Sequence, residues 1–385
     1  MDPLVRFPEG FLWGVATSAY QTEGGNYASD WWQWEHTPGS GSVEPSGDAC
    51  DSWHRWPEDV ALVADLGFTA CRFAIDWARI EPEDGLFSRV ALEHYTRICE
   101  RLHARGILPI VTFLHFTLPR WVAARGGWDN PATGDLFARF CARAAAQLAP
   151  WMGRACTINE PNVLASSGYA YGSFPPGVKD VGRARTVHDL LIVAHRKAAC
   201  AIRASAPGVP IGLTLNMAEY DAAAGGETRV DALRATMEDP YLAATTGDDF
   251  LGVQTYVRTR VWPDGTTGDE ACPLALAATL RRAWQMTSGT VPLLVTEHGI
   301  ATEDDAQRIV YLHAALQGVL DCMADGIDVR GYCHWSLFDT WEWTAGFRLK
   351  MGLVAVDRET FARTVKPSGY WLGRIARANT LRALA

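Results

Sequence analysis

Eight short apolar runs divide the sequence, and segments with helical spacing of apolar residues lie between them. The runs lie at 11–17, 68–75, 107–114, 154–159, 209–215, 249–255, 291–296 and 329–335. Most are continuous rather than alternating with polar residues, which is typical of strands buried on both faces of a parallel sheet. Eight strands alternating with helices in 385 residues predict an α/β fold, a single (β/α)₈ TIM barrel that occupies residues 1–385 as one domain.

Proline and glycine mark where the helices begin and end. Pro57 is placed to open a helix whose apolar face includes Val60, Val63 and Leu66, and Gly67 follows its end. No G-x-G-x-x-G follows the first run, which argues against a nucleotide-binding doubly wound sheet. Further helical patterns occupy 90–105, 135–149, 186–205 and 304–325.

The net charge and the cysteine content limit which binding partners and which cellular compartment we expect for this protein. The formal net charge of −9 disfavours nucleic acid or an anionic membrane as the main partner. No run approaches the roughly 20 apolar residues of a membrane span, and the first residues lack the pattern of a secretory signal. Nine scattered cysteines without a C-x-x-C pair predict reduced thiols in a cytoplasmic protein. We expect no metal site, because no close Cys/His cluster exists. We also expect no cofactor. The oligomeric state is left open.

Two glutamates follow apolar strands and predict the chemistry. Glu160 lies at the end of the fourth run in TINEPN, and Glu297 at the end of the seventh in LLVTEHG. Carboxyl ends of barrel strands form the active face, so both carboxylates should meet there. Glycosidic cleavage needs one carboxylic acid to protonate the leaving oxygen and one carboxylate facing the anomeric carbon. Asn159, beside Glu160, is placed to donate a hydrogen bond to a sugar hydroxyl.

Three further polar residues on the strands fit the same site. Arg72 lies inside the second run, and a buried arginine needs a carboxylate partner, for which Glu297 is the natural candidate. Tyr256, after the sixth run, could donate its hydroxyl to the same carboxylate. His115, after the third run, suits either a sugar hydroxyl or a hydrogen-bonded position in the core.

The motifs around these residues resemble a known family. FPEGFLWGVATSAYQTEGG at 7–25, TINEPN, LLVTEHG, GYCHWSLFDTWEW and KPSGYWLG at 366–373, in this order, are similar to the family 1 glycoside hydrolases nearly end to end. That family consists mostly of β-glucosidases, β-galactosidases and β-fucosidases, and DWWQWEH and GSFPPG resemble its actinobacterial and archaeal members. The resemblance implies a retaining exo-β-glycosidase whose partner is a small-molecule β-glycoside or a short oligosaccharide.

The resemblance also implies a role for each site residue. Glu160 would be the acid/base and Glu297 the nucleophile, with Arg72 and Tyr256 orienting Glu297. The sugar hydroxyls and ring would be bound by Gln21, His115, Asn159, Trp335, Glu342 and Trp343.

The same resemblance gives finer roles within the sugar site. Gln21 and His115 would bind the 3- and 4-hydroxyls, and Asn159 the 2-hydroxyl. Glu342 would bind the 4- and 6-hydroxyls, and the tryptophans would form the floor and rim. Members that take 6-phosphosugars carry a serine in place of Glu342, so the carboxylate here favours an unphosphorylated sugar.

Several positions depart from the family pattern. T-E-N-G becomes T-E-H-G with His298, H-W-D-L-P becomes H-F-T-L-P with Phe116, and Gln254 replaces the usual asparagine. The stretches 218–250 and 257–290 are shorter than in most members. Since side chains alternate along a strand, His298 should face away from the cleft if Glu297 faces into it.

Two other functions remain compatible with the sequence. A tailoring enzyme that transfers the glycosyl unit to an acceptor other than water would use the same covalent intermediate. A catalytically weak sugar-binding protein would account for the changes at His298 and Phe116. The sequence also leaves the preferred sugar, gluco, galacto or fuco, and the natural aglycone open.

Overall fold

A closed barrel of eight parallel strands forms the centre of the molecule in the computed structural model, which describes residues 5–384. Each strand pairs with the next along the chain, and the last pairs with the first. Every predicted run forms a strand, with ends within two residues of those predicted. The barrel strands are β1 Leu12–Ala16, β2 Ala70–Ala74, β3 Leu108–Leu114, β4 Arg154–Asn159, β5 Ile211–Asn216, β6 Phe250–Thr255, β7 Leu293–His298 and β8 Val329–Trp335.

A helix of more than two turns follows every barrel strand, which confirms the predicted (β/α)₈ architecture. The apolar faces of seven of these helices pack on the outward side chains of the strands in one large core, whereas Glu227–Met237 contacts strands that lie outside the barrel. These helices are α1 Ser52–Leu66, α2 Arg89–Ala104, α3 Thr133–Leu148, α4 Val181–Ser205, α5 Glu227–Met237, α6 Ala275–Met286, α7 Asp305–Ala324 and α8 Pro367–Ala378.

Helix α1 begins earlier than the sequence predicts. Pro57 lies inside the helix rather than opening it. The turn that precedes it is held by Asp51, whose carbonyl accepts the backbone N–H groups of His54 and Arg55 at 3.2 and 3.0 Å. Proline removes one hydrogen bond from a helix, and the contacts of Asp51 stabilise the extra turn despite that loss. The predicted end is confirmed, because Gly67 adopts a φ of 86° and donates to Val63 and Ala64.

A second, smaller apolar cluster fills the barrel interior. All of its side chains except Met351 come from the barrel strands, where side chains alternate, so that Leu294 faces inward while Val295 faces the helices. The interior is therefore a packed core, and the polar residues of interest lie above it at the carboxyl ends of the strands. The cluster comprises Ala16, Ala70, Ile110, Cys156, Phe250, Leu294, Cys333, Trp335 and Met351.

Shorter elements occupy the connections. The short helices are Ala19–Glu23, Asp30–Glu35, Trp77–Ile80, Arg120–Ala124, Gly127–Asp129, Pro161–Ala165, Ser166–Ala170, Asp239–Ala244 and Trp343–Ala345. Outside the barrel, strands Glu219–Ala222, Arg258–Val261 and Thr267–Glu270 form one small sheet, and Val5–Arg6 pairs with Thr380–Leu381, as Val354–Val356 does with Arg363–Val365. Within residues 5–384, no helix is both long and apolar enough to cross a membrane.

Candidate active site

Glu160 and Glu297 line one cavity of about 400 Å³ at the carboxyl ends of the strands. Glu160 directly follows β4, and Glu297 is the penultimate residue of β7. Both side chains are buried, with residue exposures of 7% and 3%. The structure therefore brings the two carboxylates that the sequence singled out into one enclosed space.

Glu297 is held by a cation and a hydroxyl. The guanidinium of Arg72, itself fully buried, contacts Oε1, and the phenol of Tyr256 donates to Oε2. Burial raises the pKa of the Glu297 carboxyl, and Arg72 and Tyr256 both oppose that rise. These contacts, which the sequence predicted, favour the ionised form of Glu297.

Among residues 5–384, the side chains that hydrogen-bond to the Glu160 carboxyl are neutral amides. Asn216 Nδ2 and Gln254 Nε2 donate to its Oε1 at 2.9 and 2.7 Å. Burial and the nearby charge of Glu297 raise the pKa of Glu160 to about 8, against the lowering effect of the two amides. At neutral pH Glu160 therefore carries a proton. Sequence reasoning missed Asn216, although its place at the end of β5 is the signal that identified Glu160.

The register of β7 against β6 shifts between Val295 and Glu297. Thr296 also faces inward, since its hydroxyl donates to Gln254 Oε1 at 3.1 Å. The irregularity lets two successive side chains, Thr296 and Glu297, reach the interior side of the barrel. A chain of contacts thus runs from Thr296 through Gln254 to Glu160.

His298 faces the helix layer, which confirms the prediction from strand alternation. Its Nδ1 lies 2.9 Å from the hydroxyl of Tyr332 on β8, and its ring stacks on Tyr311 of α7 at a centroid distance of 5.3 Å. Burial lowers the pKa of His298 to about 3, so the ring is neutral. His298 supports the strand that carries Glu297 and does not line the cavity.

A third carboxylate, Glu342, lies on another wall of the cavity. Its Oε1 accepts from Thr340 at 2.6 Å and from the indole of Trp335 at 3.3 Å, and its Oε2 accepts from Gln21 at 3.1 Å. Burial raises the pKa of Glu342 to about 7. Gln21 is fully buried beside Glu342, and it also donates to the carbonyl of Trp341.

His115 and Asn159 connect the sugar-binding candidates to Arg72. His115 Nε2 lies 3.3 Å from Asn159 Nδ2, and Asn159 Oδ1 accepts from Arg72 at 2.5 Å. The His115 ring stacks on Trp335 and Trp343, and its Nδ1 has no hydrogen-bond partner within the described residues. Burial and the charge of Arg72 hold the pKa of His115 well below its usual range. His115 is thus a hydrogen-bonded buried residue that also lines the cavity, a position compatible with either predicted environment.

Three cavity residues have left-handed backbone conformations that L-residues rarely adopt. The φ angles are 68° at Phe116, 44° at Glu160 and 54° at Trp343. Such conformations cost on the order of 1–3 kcal/mol each and persist where surrounding structure enforces them, often at functional sites. Their concentration around one cavity is consistent with an active site.

Across residues 5–384, no group of three or more His, Cys, Asp or Glu side chains is arranged to hold a metal ion. The polar groups of the cavity can exchange protons, bind hydroxyls and present a carboxylate to an electrophilic carbon.

Comparison with known proteins places this site in a family. The family model for glycosyl hydrolase family 1 matches residues 4–238 and 238–381. β-Glucosidase A of Thermotoga maritima is 32% identical over 442 aligned positions, covering 98% of this chain and 99% of that protein. The alignment is longer than the 385 residues here, so that relative carries segments absent from this chain.

Solved structures agree with the sequence comparison. The β-glycosidase BGL167 superposes with a TM-score of 0.91 at 43% identity, covering 98% of this chain and 99% of that one. A Thermotoga maritima β-glucosidase in complex with glucoimidazole superposes with a TM-score of 0.92 at 30% identity, covering 97% and 99%. The chain belongs to glycosyl hydrolase family 1.

Proposed function

We propose that the protein is a single-domain, retaining exo-β-glycosidase that hydrolyses unphosphorylated β-D-glycosides, with β-glucosides as the first candidates. The observation that carries the proposal is the unequal environment of two carboxylates in one cavity. Glu297 contacts a buried cation, whereas Glu160 accepts hydrogen bonds from two neutral amides, and its pKa of about 8 keeps it protonated at neutral pH. One group is therefore prepared as a nucleophile and the other as an acid.

In the first step Glu297 attacks the anomeric carbon. The bond from that carbon to the glycosidic oxygen breaks, and the oxygen takes the proton of Glu160 as the aglycone leaves. The result is a covalent ester between Glu297 and the sugar, with inverted configuration. Arg72 and Tyr256 keep the attacking carboxylate ionised and oriented before the reaction.

In the second step water attacks the anomeric carbon and gives a proton to Glu160. The ester bond to Glu297 breaks, and a second inversion restores the β-configuration. Glu160 can act as a base here because the ester has removed the negative charge of Glu297, the second cause of its raised pKa. The mechanism predicts carboxyl groups roughly 5–5.5 Å apart, which leaves no room for an intervening water.

We assign sugar binding to the groups beside Glu342. Carboxylate, imidazole and amide groups bind hydroxyls, and flat indoles pack on the apolar face of a sugar ring. A carboxylate at Glu342 would repel a phosphate, which supports an unphosphorylated sugar. The relative solved with glucoimidazole supports a glucose-like ligand. The assigned residues are Gln21, His115, Asn159, Trp335, Glu342 and Trp343.

Azide rescue of two variants tests the assignment. With an activated aryl β-glucoside, Glu297→Ala should be inactive until azide attacks the open α-face, giving the α-glycosyl azide. Glu160→Ala should still form the ester, and azide should then give the β-glycosyl azide. The same azide anomer from both variants, or wild-type hydrolysis that releases α-sugar first, would contradict the retaining mechanism.

We also propose that the protein resides in the cytoplasm. All nine cysteines are unpaired, and eight of them are buried. Structural disulfides are rare in reducing compartments and common in secreted proteins, which supports this location. Fractionation of cells that produce the protein, followed by an assay of each fraction, tests the proposal.

A further inference from the structure

The side chains that line the active-site cavity divide into a polar group and an apolar group. Within the described part of the chain, the polar group comes from residues to which the proposed function already gives a role: His115, Glu160, Tyr256, Glu297, Trp335, Glu342 and Trp343. The apolar group includes Val163, Val257, Ala271, Ile300, Ala301 and Leu349. Every polar side chain in this lining therefore already has a role in the proposed function.

Three members of the apolar group follow closely on the residues that act at the glycosidic bond. Glu160 has to reach the glycosidic oxygen, so the aglycone begins next to Glu160. Val163 belongs to the short helix Pro161–Ala165 that starts directly after Glu160. Val257 and Ile300 follow the strands that carry the site, Val257 directly after Tyr256 and Ile300 three residues after Glu297.

The charged side chain beside Val257 is already paired. Arg258 donates to Glu219 at 2.9 Å and to Glu270 at 3.2 Å within the small sheet outside the barrel. It is therefore occupied in ion pairs along that sheet. The apolar group also reaches solvent, since its member Leu349 is 42% exposed.

From this division we infer that the natural substrate carries an apolar aglycone, an alkyl or aromatic group, rather than a second sugar. The inference rests on the proposed β-glycosidase function and specifies its substrate class. A second sugar would leave its hydroxyls against aliphatic side chains without partners, which costs binding free energy. An alkyl or aryl group would cover apolar surface that is otherwise exposed to water.

A series of alkyl β-glucosides measures this preference. Methyl, butyl, hexyl and octyl glucosides have leaving alcohols of nearly equal acidity, so differences in kcat/KM report contacts of the chain. Full burial of the alkyl chain would raise kcat/KM about fourfold per methylene. Half burial predicts a rise in kcat/KM of roughly 30-fold from the methyl to the hexyl glucoside. Cellobiose, whose leaving hydroxyl is more acidic than an alkanol, should nevertheless have a lower kcat/KM than the hexyl glucoside.

A matched pair of variants assigns the effect to the apolar side chains beside Glu160. Val163→Asn should lower the hexyl-to-methyl ratio of kcat/KM at least about threefold, because it removes apolar contact from the alkyl chain. Leu86→Asn, at a position that is 61% exposed and does not line the cavity, should keep the wild-type ratio.

The outcomes separate this inference from the proposed function. If methyl β-glucoside is hydrolysed but kcat/KM does not rise with alkyl length, the apolar aglycone is overturned and the proposed glycosidase function is retained. A higher kcat/KM for cellobiose than for the hexyl glucoside has the same meaning. An equal fall of the ratio in both asparagine variants also overturns it. Failure to hydrolyse any of the glucosides overturns the proposed function, and the aglycone inference with it.

Discussion

Replacing Gln254 by methionine should raise the pH at which activity falls on the alkaline side. Gln254 Nε2 donates to Glu160 Oε1 at 2.7 Å, and this hydrogen bond stabilises the carboxylate form of Glu160. Methionine has a similar length and no N–H, so the variant removes the donor while filling the space. With the charged form less stable, the pKa of Glu160 must rise.

The size of the shift follows from the strength of the hydrogen bond. A hydrogen bond to a charged group contributes roughly 1.5–3 kcal/mol, and one pKa unit corresponds to about 1.4 kcal/mol. Asn216 still donates to the same oxygen at 2.9 Å and keeps part of the stabilisation. We therefore expect an increase of about one unit from the wild-type pKa of about 8.

The dependence of kcat/KM on pH measures this pKa in the free enzyme. Wild-type activity should fall as pH rises through about 8, because Glu160 loses the proton it must donate, and in Gln254→Met the fall should come later. Thr255→Val is the matched control, since Thr255 is the next residue on β6 and contacts Thr279 on α6 at 2.7 Å. An alkaline limb in Gln254→Met that stays in place or moves to lower pH, or one that moves equally in the control, would refute the reasoning.

Three further substitutions test single roles. Glu160→Gln should lose roughly 10²–10⁴-fold in rate with poor leaving groups and much less with very acidic phenols in the first step, so equal losses would exclude an acid role. Glu342→Ala should lower kcat/KM for aryl glucosides far more than for xylosides, which lack the 6-hydroxymethyl group, and a uniform loss would indicate a structural role. His298→Asn should keep activity within about tenfold, or ~1.4 kcal/mol of barrier, with both pH limbs retained; loss of a limb would contradict its outward position.

The barrel could be predicted because its strands are buried on both faces. Continuous apolar runs such as 107–114 and 291–296 mark such strands without help from tertiary contacts. The prediction for the beginning of α1 was wrong, because proline favours the first turn of a helix but Pro57 lies inside this one. The contacts of Asp51 with His54 and Arg55 decide where that helix starts, and these contacts exist only once the helix has formed.

The sequence predicts which residues form the site better than it predicts their hydrogen-bond partners. An ionised Glu297 beside Arg72 follows from the cost of burying an arginine without a carboxylate. The partners of Glu160 did not follow, because they depend on which strand ends face one another across the barrel. The left-handed backbone at Glu160 and the register shift before Glu297 likewise result from tertiary structure and leave no pattern in the sequence.

The departures from the family pattern act on different parts of the site. His298 contacts Tyr332 and Tyr311 on the side of the barrel that faces the helices, so its effect on Glu297 passes through the backbone. Gln254, by contrast, hydrogen-bonds directly to Glu160 and also accepts from Thr296, the residue before the proposed nucleophile. A change at this position alters the group that donates the proton while Arg72 and Tyr256 still hold Glu297. We therefore expect this chain to differ from its relatives mainly in how the leaving group is protonated, and least in how the covalent ester is formed.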